Sequence, residues 1–214
     1  MSNLNNTKAS EHLSFVFALM DGLGKVGDVK TITPELEQEM VRAQPRWKNY
    51  FDECFKVMKD ALKLFKKYDK KGLLEDFFAG LNKKKAILNE KTFNILMDYA
   101  FEAYDSEVFN DAYILLSFVS ACYPLHYKVY LYLGKVTEQL HGNGVASEFY
   151  ENVTNTFKEP ELLFAAANCE MNQNNLDKAK GYLVKAQEVL NARGVLSDDD
   201  SQLKAKVDEI LNLF

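Results

Sequence analysis

The sequence contains few of the residues that interrupt helices, with four prolines and ten glycines in 214 residues. Its long segments are rich in leucine, alanine, lysine and glutamate, which have high helix propensity. The composition therefore favours an all-α fold over an architecture of strands and turns. Because 47% of the residues are hydrophobic and 13% aromatic, the chain can bury a core, which excludes a disordered protein.

Cysteine, positive charge and long apolar runs are also scarce. Cys54, Cys122 and Cys169 are far apart, odd in number and never in a CxxC arrangement, which indicates reduced thiols and a cytoplasmic protein. The net charge of -5 supplies no global attraction for nucleic acid or anionic lipid. The apolar stretch SFVFALM is too short to span a bilayer, so we expect neither nucleic-acid binding nor stable membrane insertion.

No catalytic or metal-binding signature is present. The segment GLGKVG, residues 22–27, lacks the strand and the terminal Lys-Ser/Thr of a phosphate loop, so we interpret it as a linker. The three histidines, at 12, 126 and 141, occupy unrelated positions and imply no metal. Cys169 has no histidine or aspartate close in sequence that would activate it. We expect a protein without enzymatic activity and without a cofactor.

Helical patterns begin before residue 72. Residues 11–23 predict a short helix, Thr33 and Pro34 predict the start of a second helix that ends near Gln44, and residues 46–68 predict a third. The lysine-rich run in residues 56–71 is typical of the solvated face of an amphipathic helix. We assign residues 1–72 to an N-terminal helical extension, with dimerisation or partner binding as its expected role.

A sequence repeat of 33–34 residues is present in the rest of the chain. Five columns of residues recur at offsets of 34 (146 − 112) and then 33 (179 − 146). The columns are Leu96, Tyr130 and Leu163; Ala100, Gly134 and Ala167; Ala112, Ala146 and Ala179; Leu116, Tyr150 and Leu183; and Val119, Val153 and Ala186. Small residues at positions eight and twenty are typical of the tetratricopeptide repeat, in which they let two helices approach closely.

The repeat predicts a curved solenoid of three tandem tetratricopeptide-like helix pairs within residues 73–214. The pairs should occupy residues 93–126, 127–159 and 160–193, and Ser197 should start a capping helix over 197–214. The first helices of such pairs line a concave groove with positions two, five, nine and twelve. These positions hold Asn94, Met97, Phe101 and Tyr104; Lys128, Leu131, Lys135 and Glu138; and Glu161, Phe164, Asn168 and Met171.

The methionines and aromatic residues of this set suit an extended, partly apolar peptide. An alternative for each aromatic side chain is packing between neighbouring helices. On this basis we predict a peptide-binding groove that contains the following residues: Asn94, Met97, Phe101, Tyr104, Phe109, Lys128, Leu131, Lys135, Phe164, Asn168 and Met171.

The stretches that begin FAGLNKKKAILNEKTFNILMDYAFEAY, YLYLGK and KEPELLFAAANCEMN resemble the class II chaperones of bacterial type III secretion, the low-calcium-response H family. The resemblance covers residues 73–214. It implies a groove for a proline-containing segment of a secreted translocator, formed by Met97, Phe101, Tyr104 and Phe109 in repeat one and by Leu131 in repeat two. Asn143 stands where the family often has an aromatic residue, which implies a shallower or differently selective pocket.

The resemblance implies a bacterial cytoplasmic chaperone that holds hydrophobic translocators before export. The first seventy residues are longer than the usual leader of the family, and the resemblance does not assign them. Three roles stay open for them: formation of a homodimer, coverage of the groove, or contact with another component of the secretion machine, such as a gatekeeper. The alternative is a tetratricopeptide scaffold that joins two cytosolic proteins.

Overall fold

The structure is a computed structural model that describes residues 59–77 and 90–214, and in these two ranges the regular elements are helices. Within the described ranges, no helix is long and apolar enough to cross a membrane. The predictions for residues 11–23, 22–27 and 34–44, and those for His12 and Cys54, lie outside the described residues. Of the helix predicted over 46–68, residues 59–68 are described and are helical.

Residues 59–68 form α1. The three predicted pairs are α2 (Glu90–Asp105) with α3 (Phe109–Cys122), α4 (Tyr127–His141) with α5 (Asn143–Thr156), and α6 (Pro160–Asn172) with α7 (Leu176–Ala192), and the C-terminal helix is α8 (Asp198–Leu211). The all-α class, the three helix pairs and the C-terminal helix predicted from the sequence are therefore confirmed.

The chain divides into two compact units, one that ends at Leu125 and one from His126 to Phe214. In the first unit, α1 packs on the α2/α3 pair. The ring of Phe65 meets that of Phe118 edge to face, with centroids 5.3 Å apart. The Tyr99 hydroxyl donates to Asp69 at 2.7 Å. The predicted boundary at residue 72 falls within this packed stretch, and a separate role for residues 1–72 stays a prediction.

Every member of the five repeat columns is buried, as the packing argument predicts. The closest approach is at Gly134 of α4, where a Cβ atom would collide with the ring of Tyr150 from α5. That ring is fully buried, and its hydroxyl donates to the carbonyl of Leu131 at 3.3 Å. Only glycine leaves room for a tyrosine against the α4 backbone, which explains why repeat two has glycine in the column that holds alanine in the other two repeats.

A buried carboxylate joins the helices of the second unit. Glu170 of α6 is 1% exposed and accepts hydrogen bonds from Ser147 of α5 at 2.6 Å and from Asn175, just before α7, at 2.8 Å. Lys178 Nζ lies 3.6 Å away. Burial raises the pKa of the Glu170 carboxyl, but these polar partners outweigh it and the pKa lies below its usual range. The carboxylate of Glu170 therefore links α5, α6 and the start of α7 through hydrogen bonds and charge.

The C-terminal helix begins as predicted. The Ser197 hydroxyl accepts a hydrogen bond from the Asp200 backbone N–H at 3.1 Å, which satisfies an otherwise unpaired donor of the first turn. Val207 of α8 is buried against the α6/α7 pair, and Leu203 packs beside it. Arg193 also holds this end, because its guanidinium donates to Glu159 at 2.8 Å and to Asp200 at 2.6 Å.

Candidate peptide-binding surface

A cavity of about 340 Å³ lies in the second unit, between α4, α6 and α8. It combines apolar side chains with both signs of charge. Its lining residues are Leu131, Lys135, Glu161, Phe164, Ala165, Asn168, Asp199, Gln202, Leu203 and Lys206. Four of them, Leu131, Lys135, Phe164 and Asn168, belong to the predicted groove, so the structure brings these four side chains to one place.

The repeat explains why α4 and α6 contribute matching positions. Leu131 and Lys135 are four residues apart on α4, as Phe164 and Asn168 are on α6, and residues at this spacing share one helix face. The adjacent face of each helix carries the buried columns, for example Tyr130 of α4. A residue next to a buried column therefore lies at the edge of the core, and these four side chains are half-buried.

Sequence reasoning assigned α8 a capping role and missed its contribution to the cavity. Asp199, Gln202, Leu203 and Lys206 recur at three- and four-residue steps and form one face of α8. Leu203 belongs both to this face and to the apolar stripe that packs on the core. The same periodicity that predicted the stripe could have revealed a second, polar face beside it, but only the fold shows that this face lines the same cavity as α4 and α6.

Glu161, in the first turn of α6, is the most unusual polar group at the cavity. One carboxylate oxygen, Oε1, accepts a hydrogen bond from the Tyr127 hydroxyl at 2.9 Å. The other oxygen, Oε2, is buried and has no hydrogen-bond partner. Burial, together with the hydrogen bond to Glu161, raises the pKa of Tyr127 above its usual range, so this hydroxyl stays protonated and keeps donating. The sequence had placed Glu161 on the groove face but not among the binding residues.

Two predicted residues of the second unit do not line the cavity. Lys128 is exposed at the start of α4, and Met171 is half-buried near the end of α6. Lys135, which does line it, holds its ammonium 4.7 Å from the ring centroid of Tyr132. Asn143, the departure from the family pattern, begins α5, and its carbonyl accepts from Gln173 at 3.3 Å.

In the first unit the predicted residues differ in their exposure to solvent. Asn94 is exposed, and the three aromatic side chains Phe101, Tyr104 and Phe109 are half-buried. The rings of Tyr104 and Phe109 meet edge to face at 5.6 Å.

Met97 was predicted to face the groove, but its side chain is 3% exposed and belongs to the core. The reason is the width of the apolar stripe of α2. Phe93, Leu96, Met97 and Ala100 form a continuous buried strip at helical spacing, so position five is covered together with the repeat columns. Met97 therefore presents no surface to a ligand in this structure.

The cysteines that the structure describes are poor nucleophiles. Cys169 is fully buried and its thiol donates to Glu138 Oε1 at 3.0 Å. Burial, followed by the hydrogen bond and the charge of Glu138, raises the pKa of the Cys169 thiol. Burial raises the pKa of Cys122 to about 12. Both groups are neutral thiols at neutral pH, whereas a nucleophilic cysteine is a thiolate.

His126 immediately precedes α4 and His141 is its last residue. Burial lowers the pKa of His141. Across residues 59–77 and 90–214, no group of three or more His, Cys, Asp or Glu side chains could hold a metal ion.

The paired helices, the small residue at position eight and the C-terminal helix define a tetratricopeptide-type fold. No protein-family model matches the sequence, and no curated protein matches it. Solved structures do match. The Yersinia enterocolitica type III secretion translocator chaperone SycD superposes with a TM-score of 0.53 at 22% identity, over 63% of this chain and 96% of SycD.

Two further matches are complexes. PcrH, a protein of Pseudomonas aeruginosa, in complex with the chaperone-binding region of PopD gives a TM-score of 0.50 at 22% identity, over 59% of this chain and 92% of PcrH. SycD in complex with a peptide of the translocator YopD gives 0.50 at 23% identity, over 58% of this chain and 93% of that one. The chain has the fold of the type III secretion translocator chaperones.

Proposed function

We propose that this protein is a type III secretion chaperone that binds hydrophobic translocators in the bacterial cytoplasm before their export. The observation that carries the proposal is the shared fold, because the proteins with this fold include SycD, solved with a peptide of the translocator YopD, and PcrH, solved with the chaperone-binding region of PopD. The cavity supports it independently, since it joins apolar side chains from two repeats with polar groups that can bind a peptide backbone.

Such a protein acts by occupancy. A translocator with membrane-seeking segments exposes apolar surface and aggregates, and a chaperone that binds one of its segments lowers the free population by mass action. Phe164, Leu131 and Leu203 supply apolar contacts at the cavity, and Asn168 supplies both a donor and an acceptor. Neither ATP nor a catalytic group is needed for this action.

The remaining sequence predictions form part of the same proposal. Phe101, Tyr104 and Phe109 of the first unit contribute aromatic contacts to a proline-containing segment of the client. Lys128 and Met171, which lie outside the cavity on α4 and α6, contact the parts of the segment that continue past it. We also propose a homodimer and a contact with another component of the secretion machine, such as a gatekeeper.

The test is co-expression of the protein with each hydrophobic translocator of the same bacterium. We expect the translocator to move from the insoluble to the soluble fraction and to co-purify with the chaperone at a fixed stoichiometry. A translocator that stays insoluble beside abundant soluble chaperone contradicts the proposal. Stable capture of two soluble cytosolic proteins at once, with no effect on translocators, would instead establish the scaffold alternative.

A further inference from the structure

The C-terminal helix α8 is held on the second unit by few buried side chains. Within α8, all of whose residues the structure describes, Val207 alone is buried, while Leu203, Ile210 and Leu211 are half-buried. By contrast, α7 buries four residues and α6 buries seven. Because the free energy of local opening rises with the amount of buried apolar contact, α8 should separate from the unit more readily than α6 or α7.

The connection between α7 and α8 adds little restraint. Val195 is 92% exposed to solvent, and a Cβ atom at Gly194 would have no described atom within 4 Å. The backbone at these two residues is therefore free of packing against the rest of the unit, and α8 can pivot there while α6 and α7 stay in place.

Two polar contacts hold α8 at the edge of the core. The guanidinium of Arg193 donates to Asp200 at 2.6 Å, and the side-chain amide of Gln187 donates to Asp208 at 2.6 Å. Contacts between partly exposed polar groups contribute little to stability, because water replaces them when they break. They orient α8 on the unit without preventing its release.

The surface that α8 covers is apolar. Its side chains come from α6 and α7, and they are Leu163, Ala167, Leu183, Ala186 and Leu190, with Phe164, Tyr182 and Val189 packed beside them. α8 contacts this surface through Leu203, Val207 and Ile210, which are spaced i, i+4 and i+7 and so share one helix face. An apolar groove that accepts a helix through this spacing is a recurring mode of peptide recognition.

The covered surface adjoins the cavity. Phe164 of α6 lines the cavity and also packs beside the covered core, and Leu203 of α8 does the same from the other side. A helix that took the place of α8 would supply its own apolar side chain in place of Leu203. Membrane-seeking segments are commonly amphipathic helices of this kind, with an apolar stripe along one face.

From these observations, we propose that the α6/α7 surface under α8 is a second client-binding site, which takes an amphipathic helix of the translocator and is occupied by α8 in the free protein. This inference rests on the proposed function, because the client is taken to be a translocator. It adds a second binding mode: an extended segment binds in the cavity, and a helical segment replaces α8. The free protein thereby keeps a large apolar surface covered until a client arrives.

The first experiment follows hydrogen exchange of the full wild-type chain by mass spectrometry. The probes are synthetic peptides of about twenty residues that cover the amphipathic helices in the sequences of the hydrophobic translocators of the same bacterium. In the free protein, we expect the amides of α8 to exchange at least about tenfold faster than those of α6 and α7. When a helical peptide binds, α8 should lose protection while α6 and α7 gain it.

The second experiment measures the affinities of the same peptides by fluorescence anisotropy for Val207→Ala. This change truncates the buried side chain of α8 and leaves α6 and α7 intact. We expect about tenfold tighter binding than to the wild type, because a larger fraction of the molecules has α8 displaced. If α8 were only a cap, its loosening would weaken binding. Val195→Ala, the same truncation at a side chain that is 92% exposed, is the matched control and should leave every affinity unchanged.

The results that overturn the inference are distinguishable from those that overturn the proposed function. If α8 keeps its protection when a helical peptide binds, or if Val207→Ala binds no more tightly than the wild type, α8 does not occupy a client site. If extended translocator segments bind and no helical one does, the second site is absent while the chaperone function stands. If no translocator segment of either kind binds the wild-type protein, the proposed function fails and the inference falls with it.

Discussion

The interior of the second unit and the lining of its cavity are built from neighbouring faces of the same helices, yet different requirements shape them. In the interior, Gly134 leaves room for the ring of Tyr150, and Ala167 belongs to the same core cluster as Leu183. Every column position is buried. At the cavity, Leu131 and Phe164 are half-buried, and Glu161 keeps an acceptor without a donor. The side chains of the interior pack against one another, whereas the side chains at the cavity are only partly covered by the protein.

The two regions should therefore respond differently to mutation. Substitutions in the interior should lower stability, since each group there already has its contacts. Substitutions at the cavity should change binding more than stability, since their contacts are completed by a ligand.

The largest effect is expected at Glu170. Glu170→Ala leaves the buried hydroxyl of Ser147 without its acceptor, removes the acceptor of the exposed Asn175 amide and leaves Lys178 without its buried counter-charge. We expect the free energy of unfolding to fall by about 3 kcal/mol, because a buried donor loses its acceptor and the truncated side chain leaves a cavity. Chemical denaturation measures it, and Glu188→Ala, an exposed change on α7, should alter it by less than about 0.5 kcal/mol.

The same carboxylate predicts a pH dependence. Because folding lowers the pKa of Glu170, its contribution is complete above the unfolded pKa of about 4.3 and is lost as the pH falls through the lower folded value. The wild-type protein should therefore lose more stability than Glu170→Ala between pH 7 and pH 3. Parallel losses in the two proteins would show that Glu170 is not the anionic centre of this network.

A smaller effect is expected at Gly134. Gly134→Ala drives a Cβ atom into the fully buried Tyr150 ring, and the overpacking exceeds the gain in helix propensity, so we expect a net loss of about 2 kcal/mol. Gly181→Ala is the matched control on α7, where nothing lies within 4 Å of the new Cβ atom. That change should stabilise the protein by about 0.5–1 kcal/mol. Equal effects of the two substitutions would contradict the close-packing account.

Most of the fold could be predicted from the sequence because tetratricopeptide packing depends on short-range periodicity. The columns that contain Ala100, Gly134 and Ala167 locate the helix pairs, and Ser197 with the acidic residues after it locates the start of α8. The packing of α1 on repeat one could not be read in this way. It depends on contacts between residues far apart in sequence, such as Phe65 with Phe118 and Tyr99 with Asp69.

The candidate site was predictable only in part. Spacing alone identified Leu131, Lys135, Phe164 and Asn168, because groove positions recur with the repeat. Spacing did not predict that Met97 is buried, because its burial depends on the width of the apolar stripe of α2. Nor did it identify the unpaired oxygen of Glu161, which arises from the tertiary arrangement of α4, α6 and α8.

The most direct test of the central claim is the affinity of a translocator segment for Phe164→Ala compared with Val184→Ala. Both changes truncate a partly exposed apolar side chain of repeat three, but only Phe164 lines the cavity. Isothermal titration calorimetry, below the unfolding temperature of both variants, should show binding at least about tenfold weaker for Phe164→Ala, the loss typical of an aromatic anchor, and unchanged for Val184→Ala. Equal affinities for the two variants would contradict the assignment of this cavity as the binding site.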